Sequence, residues 1–229
     1  MWTNMAKLFV VPTPIGNLDD MSFRAVSVLG SADLILAEDT RKTGILLAKY
    51  GIGKKMLSHH KFNEFKFLEQ LVGRIRSGEV IALVSDAGTP VISDPGGLLV
   101  RACIDNGVPV ECLPGPTALI PALVMSGFNT ESFCFEGFLP HKKGRTKRIR
   151  ELAEELRTVV LYESPMRISR TLEQLCEYFG GGRRVSISRE MTKIHEETIR
   201  GTLEDLSVQM AGKKIRGELV LVIEGRGTG

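Results

Sequence analysis

Short apolar, β-branched runs alternate along this chain with stretches in which apolar residues return every three or four positions. That alternation predicts strands interleaved with helices, the pattern of an α/β architecture. In the first half the strand-like runs are residues 7–11, 34–37, 56–58, 80–85 and 110–113. Phe65, Leu68, Leu71, Val72 and Ile75, and later Leu98, Leu99, Ala102 and Cys103, form stripes that should pack on a sheet. In the second half, strands are expected at 133–136, 158–162, 184–188, 197–200 and 218–223, with helices at 146–156, 167–178 and 203–210.

Between the halves, Leu113-Pro114-Gly115-Pro116 interrupts any regular element before a new apolar helix at 117–125. We therefore expect two domains: 1–114 with a mostly parallel sheet, and 115–229 with a mixed one. The composition, 43% hydrophobic and 25% charged, is that of a folded globular chain. Cys103, Cys112, Cys134 and Cys176 show no paired spacing and the start of the chain has no signal-peptide pattern, so a reduced, cytoplasmic setting is expected. No apolar stretch approaches the roughly 20 residues that a membrane helix needs.

Charge changes the picture only in the second half. Residues 1–114 carry 12 basic and 12 acidic side chains, whereas 115–229 carry 18 and 15. Much of the excess lies in Lys142, Lys143, Arg145, Lys147, Arg148 and Arg150, a density that attracts phosphate. These cations begin a helix, with Glu151, Glu154 and Glu155 further on, which is the reverse of what the helix dipole favours. Either a solvated face or an anionic partner such as RNA accounts for the run.

Candidate chemistry sits in three Gly/Pro-rich segments, each after an apolar strand: Pro12-Thr13-Pro14-Ile15-Gly16-Asn17, residues 85–97 and Pro114-Gly115-Pro116-Thr117-Ala118. An open α/β sheet binds ligands at the carboxyl ends of its strands, and loops of this kind offer free amides and hydroxyls to a nucleotide-like molecule. None has a dinucleotide fingerprint or P-loop spacing. His59 and His60 are adjacent but lack a second ligand pair, so no metal is expected. Glu38-Asp39-Thr40-Arg41 and Arg189-Glu190-Met191-Thr192-Lys193 place charges at strand ends, as internal ion pairs or as a substrate clamp.

At these segments the sequence resembles the tetrapyrrole-methylase family of S-adenosylmethionine-dependent methyltransferases. The motifs are Val10-Val11-Pro12-Thr13-Pro14-Ile15-Gly16-Asn17-Leu18, Ala37-Glu38-Asp39-Thr40-Arg41, Leu83-Val84-Ser85-Asp86-Ala87-Gly88-Thr89-Pro90, Leu113-Pro114-Gly115-Pro116, Glu136-Gly137-Phe138-Leu139-Pro140, Tyr162-Glu163-Ser164 and Arg189-Glu190-Met191-Thr192-Lys193. They span the chain and resemble most closely the branch that methylates a cytidine ribose 2′-oxygen in 16S ribosomal RNA of the small subunit.

The resemblance implies two α/β domains, a cytoplasmic homodimer, and S-adenosylmethionine in the cleft between the domains, released as S-adenosylhomocysteine. It further implies donor contacts from Pro14, Ile15, Asp86, Ala87, Gly88, Thr89, Ile92, Thr117, Ala118, Glu163 and Met191. Asp39, Glu38 and Glu190 are the candidate general bases. Arg41, Lys142, Lys143, Arg145, Arg189 and Lys193 are the candidate RNA contacts. Proteins of this branch often continue into a further C-terminal segment beyond the point where this sequence stops, so the resemblance bears on the donor loops more directly than on target choice. Two other functions fit the same residues: methylation of a corrin or porphyrin precursor, and a non-catalytic donor- or RNA-binding role in ribosome assembly.

Overall fold

A computed structural model describes residues 6–227, which form ten strands and eight α-helices in two compact units divided after Thr117. In the first unit β1 (Lys7–Val10), β2 (Leu34–Ala37), β3 (Met56–Ser58), β4 (Val80–Val84) and β5 (Val110–Cys112) make a wholly parallel sheet in the order β3-β2-β4-β1-β5. Every residue of β2 and β4 is buried, as a parallel strand covered on both faces requires.

The helices α1 (Phe23–Ser31) and α2 (Thr40–Lys49) follow β1 and β2 and pack on one face, against Phe9, Ile35 and Ala82. On the other face α3 (Leu68–Arg76) and α4 (Gly97–Asp105), following β3 and β4, pack against Leu8, Leu36 and Ile81. Because β4 lies between β2 and β1, neighbouring strands there send the chain to opposite faces. Such a switch opens a crevice at the carboxyl ends of the strands. Side-chain caps fix where the first two helices begin: Ser22 accepts the Ala25 amide at 3.1 Å and Asp39 accepts the Arg41 amide at 2.9 Å.

The second unit holds α5 (Leu119–Ser126), β6 (Phe133–Phe138), α6 (Arg145–Ala153), β7 (Thr158–Glu163), α7 (Ile168–Phe179), β8 (Arg184–Arg189), β9 (Glu197–Thr202), α8 (Leu203–Met210) and β10 (Leu219–Ile223). Its sheet runs β6-β7-β10-β8-β9; only β6 and β7 are parallel, the other pairs being antiparallel. Val159, Leu161, Val185, Ile187 and Leu221 form one core with α6, α7 and α8, while α5 packs on β10, β8 and β7. No helix among the described residues is long and apolar enough to cross a membrane.

Three periodicity-based expectations change. Phe65 is 80% exposed because residues 64–67 form a 3-10 turn, which turns the neighbouring Glu64 inward. Leu98 sits in the first turn of α4 and is exposed, leaving Leu99 and Cys103 to face the sheet. The helix expected over 146–156 ends at Ala153, so Leu156 lies past it and is exposed.

His59 is 1% exposed, its amide bonds the Ala37 carbonyl at 2.8 Å, and neither ring nitrogen has a partner among the described residues. Burial, opposed by the Glu64 charge, lowers its pKa from 6.5. Below that value the unfolded chain takes up a proton that the folded chain refuses, so stability falls as pH drops from 6.5 through the depressed folded value. Urea midpoints at about pH 7.5 and about pH 5.5 should therefore separate less in a His59→Leu variant than in the natural chain.

Candidate active site

The loops after β1, β2, β4 and β5 meet at the carboxyl edge of the first sheet, held by a few hydrogen bonds. Thr13 and Gly88 exchange both backbone bonds, at 2.9 and 2.8 Å, as an isolated antiparallel bridge across a parallel sheet. The Thr13 hydroxyl donates to the Ser85 carbonyl at 3.2 Å, and the Thr89 hydroxyl to the Pro116 carbonyl at 2.9 Å. Pro14 is buried and Ile15 half-buried, and a Cβ added to Gly88, whose φ is +80°, would lie 3.4 Å from the Ile15 Cγ2. The left-handed φ, rather than a lack of space, is what calls for glycine at this corner.

Asp86 joins the β2 loop to the same corner. Its carboxylate accepts the Asp39 amide at 3.0 Å and the Lys42 ammonium at 2.6 Å. Glu38, half-buried alongside, has its pKa raised first by burial and then by the Asp86 charge. Asp39 differs: its carboxylate holds the Arg41 guanidinium at 2.7 and 3.0 Å, and that bond, with the Arg41 amide, keeps it far below the usual carboxylate range. Arg41 itself is 89% exposed. Beyond Thr89, Ile92 is exposed, and Thr117 and Ala118 are half-buried where one unit gives way to the next.

Among the described residues the four non-glycine residues with left-handed backbone are Val91, Ser93, Glu190 and Thr192, all in loops that the sequence singled out. Each such conformation costs on the order of 1–3 kcal/mol and persists where surrounding structure imposes it. The far end of the first strained loop is fixed by Glu64, whose Oε1 accepts the Gly96 and Leu98 amides at 2.9 Å, capping α4.

In the second unit Glu163 is 2% exposed and is the centre of a buried network. It accepts the Thr171 hydroxyl at 2.6 Å and the Ser164 amide at 2.7 Å, and it pairs with Arg167 at 2.6 Å and Arg145 at 3.6 Å. Arg145 is turned inward, donating also to Thr171 at 2.7 Å, Gln174 at 2.8 Å and the Pro140 carbonyl at 3.2 Å. That arrangement explains the cation at the start of α6 without any external anion. Burial lowers the Arg145 pKa more than Glu163 raises it, so the pair does not fully offset its desolvation. Arg148 likewise pairs inward, with Glu136 at 2.5 Å, whereas Lys142 and Lys143 are exposed without an ion-pair partner among the described residues.

In the β8–β9 loop Met191 is buried and Arg189 pairs with Glu197 at 3.0 Å. Glu190 accepts Lys193 at 2.9 Å and the Glu218 amide at 3.0 Å, which together lower its pKa. The structure thus assembles Pro14, Ile15, Glu38, Asp39, Arg41 and 86–89 in one unit, and, in the other, Glu163 with Arg145 and Glu190 with Lys193. Lys42, Glu64 and Arg167 were missed in the sequence. The i,i+4 spacing of Glu163 and Arg167 was a signal for the last, but nothing local pointed to Glu64.

No group of three or more His, Cys, Asp or Glu among the described residues is arranged to hold a metal. A parallel sheet with glycine- and carboxylate-bearing loops at its carboxyl edge is an α/β architecture with a candidate ligand site at that edge. The model of the tetrapyrrole (corrin/porphyrin) methylases matches residues 7–207, and the chain belongs to that family. It is 46% identical over 222 residues to the ribosomal RNA small subunit methyltransferase I of Thermotoga maritima, covering 97% of this chain and 100% of that protein. To the Vibrio cholerae protein of the same name it is 49% identical, covering 95% of this chain and 77% of the relative.

Among solved structures, the methyltransferase CobJ aligns with a TM-score of 0.70 at 21% identity, over 97% of this chain and 95% of that one. The uroporphyrin-III C-methyl transferase of Thermus thermophilus, complexed with S-adenyl homocysteine, aligns with a TM-score of 0.68 at 18% identity, over 95% and 97%. These two likenesses concern the fold.

Replacing Glu163 by Leu would leave Arg145 and Arg167 facing each other in the interior. The expected loss is about 3–5 kcal/mol in urea unfolding, the usual penalty for an uncompensated buried charge. A loss below about 1 kcal/mol would sink the view that Glu163 organises this unit.

Proposed function

We propose that this protein transfers the methyl group of S-adenosylmethionine to the ribose 2′-oxygen of a cytidine in 16S ribosomal RNA of the small subunit, releasing S-adenosylhomocysteine. The observation that carries the proposal is identity of 46–49% over nearly the whole chain to proteins named ribosomal RNA small subunit methyltransferase I. Methylation of a corrin or porphyrin precursor has the solved structures in its favour, but at 18–21% identity these support the fold alone. In our reading the enzyme works in the cytoplasm as a homodimer.

The residues fit the donor. The Gly88 corner admits close backbone approach, Ile15 offers an apolar contact, and the carboxylates of Glu38 and Asp86 suit a positive charge. When bound, the donor supplies a methyl group already activated by a sulfonium, so the chain contributes alignment at about 3 Å, water exclusion and a destination for one proton. We assign that proton to Glu38. As the 2′-oxygen–methyl bond forms and the methyl–sulfur bond breaks, the Glu38 carboxylate takes the hydroxyl proton. Of the three candidates it alone has a raised pKa; Asp39 and Glu190 are occupied and held ionised by their cations. Asp39 instead caps α2 and positions Arg41, which can take an RNA phosphate by exchanging one anion for another; in the second unit Arg189 and Lys193 can each do the same. Pro14, Ala87, Thr89, Ile92 and Thr117 complete the donor contacts of the first unit, and Glu163 holds its own unit in shape.

The first test is transfer of labelled methyl groups to small subunits from cells lacking this protein, with the labelled ribose mapped. A 2′-O-methylcytidine is the expected product, and donor binding without transfer would sink the proposal. Glu38→Gln should lower kcat by roughly 10²–10⁴-fold while leaving S-adenosylhomocysteine affinity close to that of the natural chain. Because a base works only when deprotonated, the natural rate should fall in acid with a midpoint above the ordinary 4.5, and the variant should lose that limb. Full single-turnover activity in Glu38→Gln would reassign the base.

A further inference from the structure

Phe138 is half-exposed at the end of the edge strand β6, and its direction is set by a defect in the ladder. Along β6 the register against β7 runs Phe135 with Val160, Gly137 with Leu161, and Phe138 with Tyr162, so one extra residue is inserted at Glu136. In regular alternation Phe138 would share the helix-covered face with Cys134 and Glu136. The bulge, with Gly137 at φ +69°, moves it to the face of Phe135. There the Tyr162 ring meets Phe135 at 5.1 Å and Phe138 at 5.6 Å, both edge to face. Phe138 is thus braced from one side while 52% of it stays exposed.

The chain beyond this ring is anchored and cationic. Leu139 is buried, and the carbonyls of Leu139 and Pro140 accept Arg167 and Arg145 at 3.5 and 3.2 Å. That anchoring presents Lys142 and Lys143 to solvent, both without an ion-pair partner among the described residues. The network beneath, two arginines against one glutamate, adds positive charge of its own. A braced aromatic face followed four and five residues later by exposed lysines matches the chemistry that holds an unpaired nucleotide: a π-face for the base and cations for the phosphates. An apolar protein partner would leave the lysines without a counter-charge.

We propose that Phe138 is a stacking platform for one unpaired base of the RNA acceptor, with Lys142 and Lys143 taking the adjoining phosphates. The proposal rests on RNA being the acceptor and names where this chain grips it.

The test is filter binding of small ribosomal subunits, prepared from cells lacking this protein, to the full chain saturated with S-adenosylhomocysteine, across a salt series. Phe138→Ala should weaken binding by about tenfold or more at every salt concentration, as removal of one base stack does, without changing the salt slope. Phe138→Trp should restore affinity. The double variant Lys142→Gln/Lys143→Gln should lower the slope by ~1.4, about 0.7 for each phosphate no longer neutralised. In each variant S-adenosylhomocysteine should still raise the unfolding temperature as it does for the natural chain.

Unchanged affinity in Phe138→Ala overturns the platform while leaving the proposed function intact. A changed sedimentation coefficient assigns the surface to a second copy and also overturns it. A natural chain that does not bind the subunits overturns both readings.

Discussion

A parallel strand covered on both faces can exchange its chain with helices only at its ends, and that constraint organises the first unit. Each strand of the β3-β2-β4-β1-β5 sheet leaves for its helix from the same edge, so every connection that follows a strand gathers there. The interior of β2 and β4 is wholly apolar, and polar chemistry therefore concentrates in loops 12–17, 38–41, 85–96 and 113–117. Backbone bonds between Thr13 and Gly88, together with the Asp86 carboxylate on the Asp39 amide, then join loops that are far apart in sequence.

Those bonds have electrostatic consequences. Two carboxylates one residue apart, Glu38 and Asp39, emerge from the same strand end yet are driven in opposite directions, Glu38 by burial beside Asp86 and Asp39 by the guanidinium of Arg41. Environment rather than residue type separates a group able to accept a proton from one committed to holding a helix and a cation. In the second unit charge serves shape. Glu163, Arg145 and Arg167 fix the loop that ends at α6, and the cations that remain free on that loop stand out because their neighbours are already bound.

Much of this was legible in advance. The ten strands lie where apolar, β-branched runs place them, because burial on one or both faces of a sheet leaves a local record in the residues themselves. The motif-bearing loops were legible for a related reason: proline and left-handed glycine are needed by the local backbone whatever surrounds it. The helix-period stripes were less reliable at their ends. Phe65 and Leu98 lie where turns or first helical turns rotate the chain away from the α-helical period, and Leu156 lies past the end of its helix.

What the sequence determined by itself was therefore the order of elements, the α/β class and the position of the Gly/Pro-rich loops, all properties of neighbours along the chain. Only the tertiary structure decided what each charged group does. A lysine or arginine looks the same in a sequence whether it meets solvent or a buried glutamate, and Arg145 and Lys142, three residues apart, went opposite ways. Glu64 became a helix cap and Glu163 a hub because of partners brought in from elsewhere in the fold: the amides of Gly96 and Leu98 for one, Arg145 and Thr171 for the other. Desolvation and pairing depend on distance through space, and a linear pattern does not carry that distance.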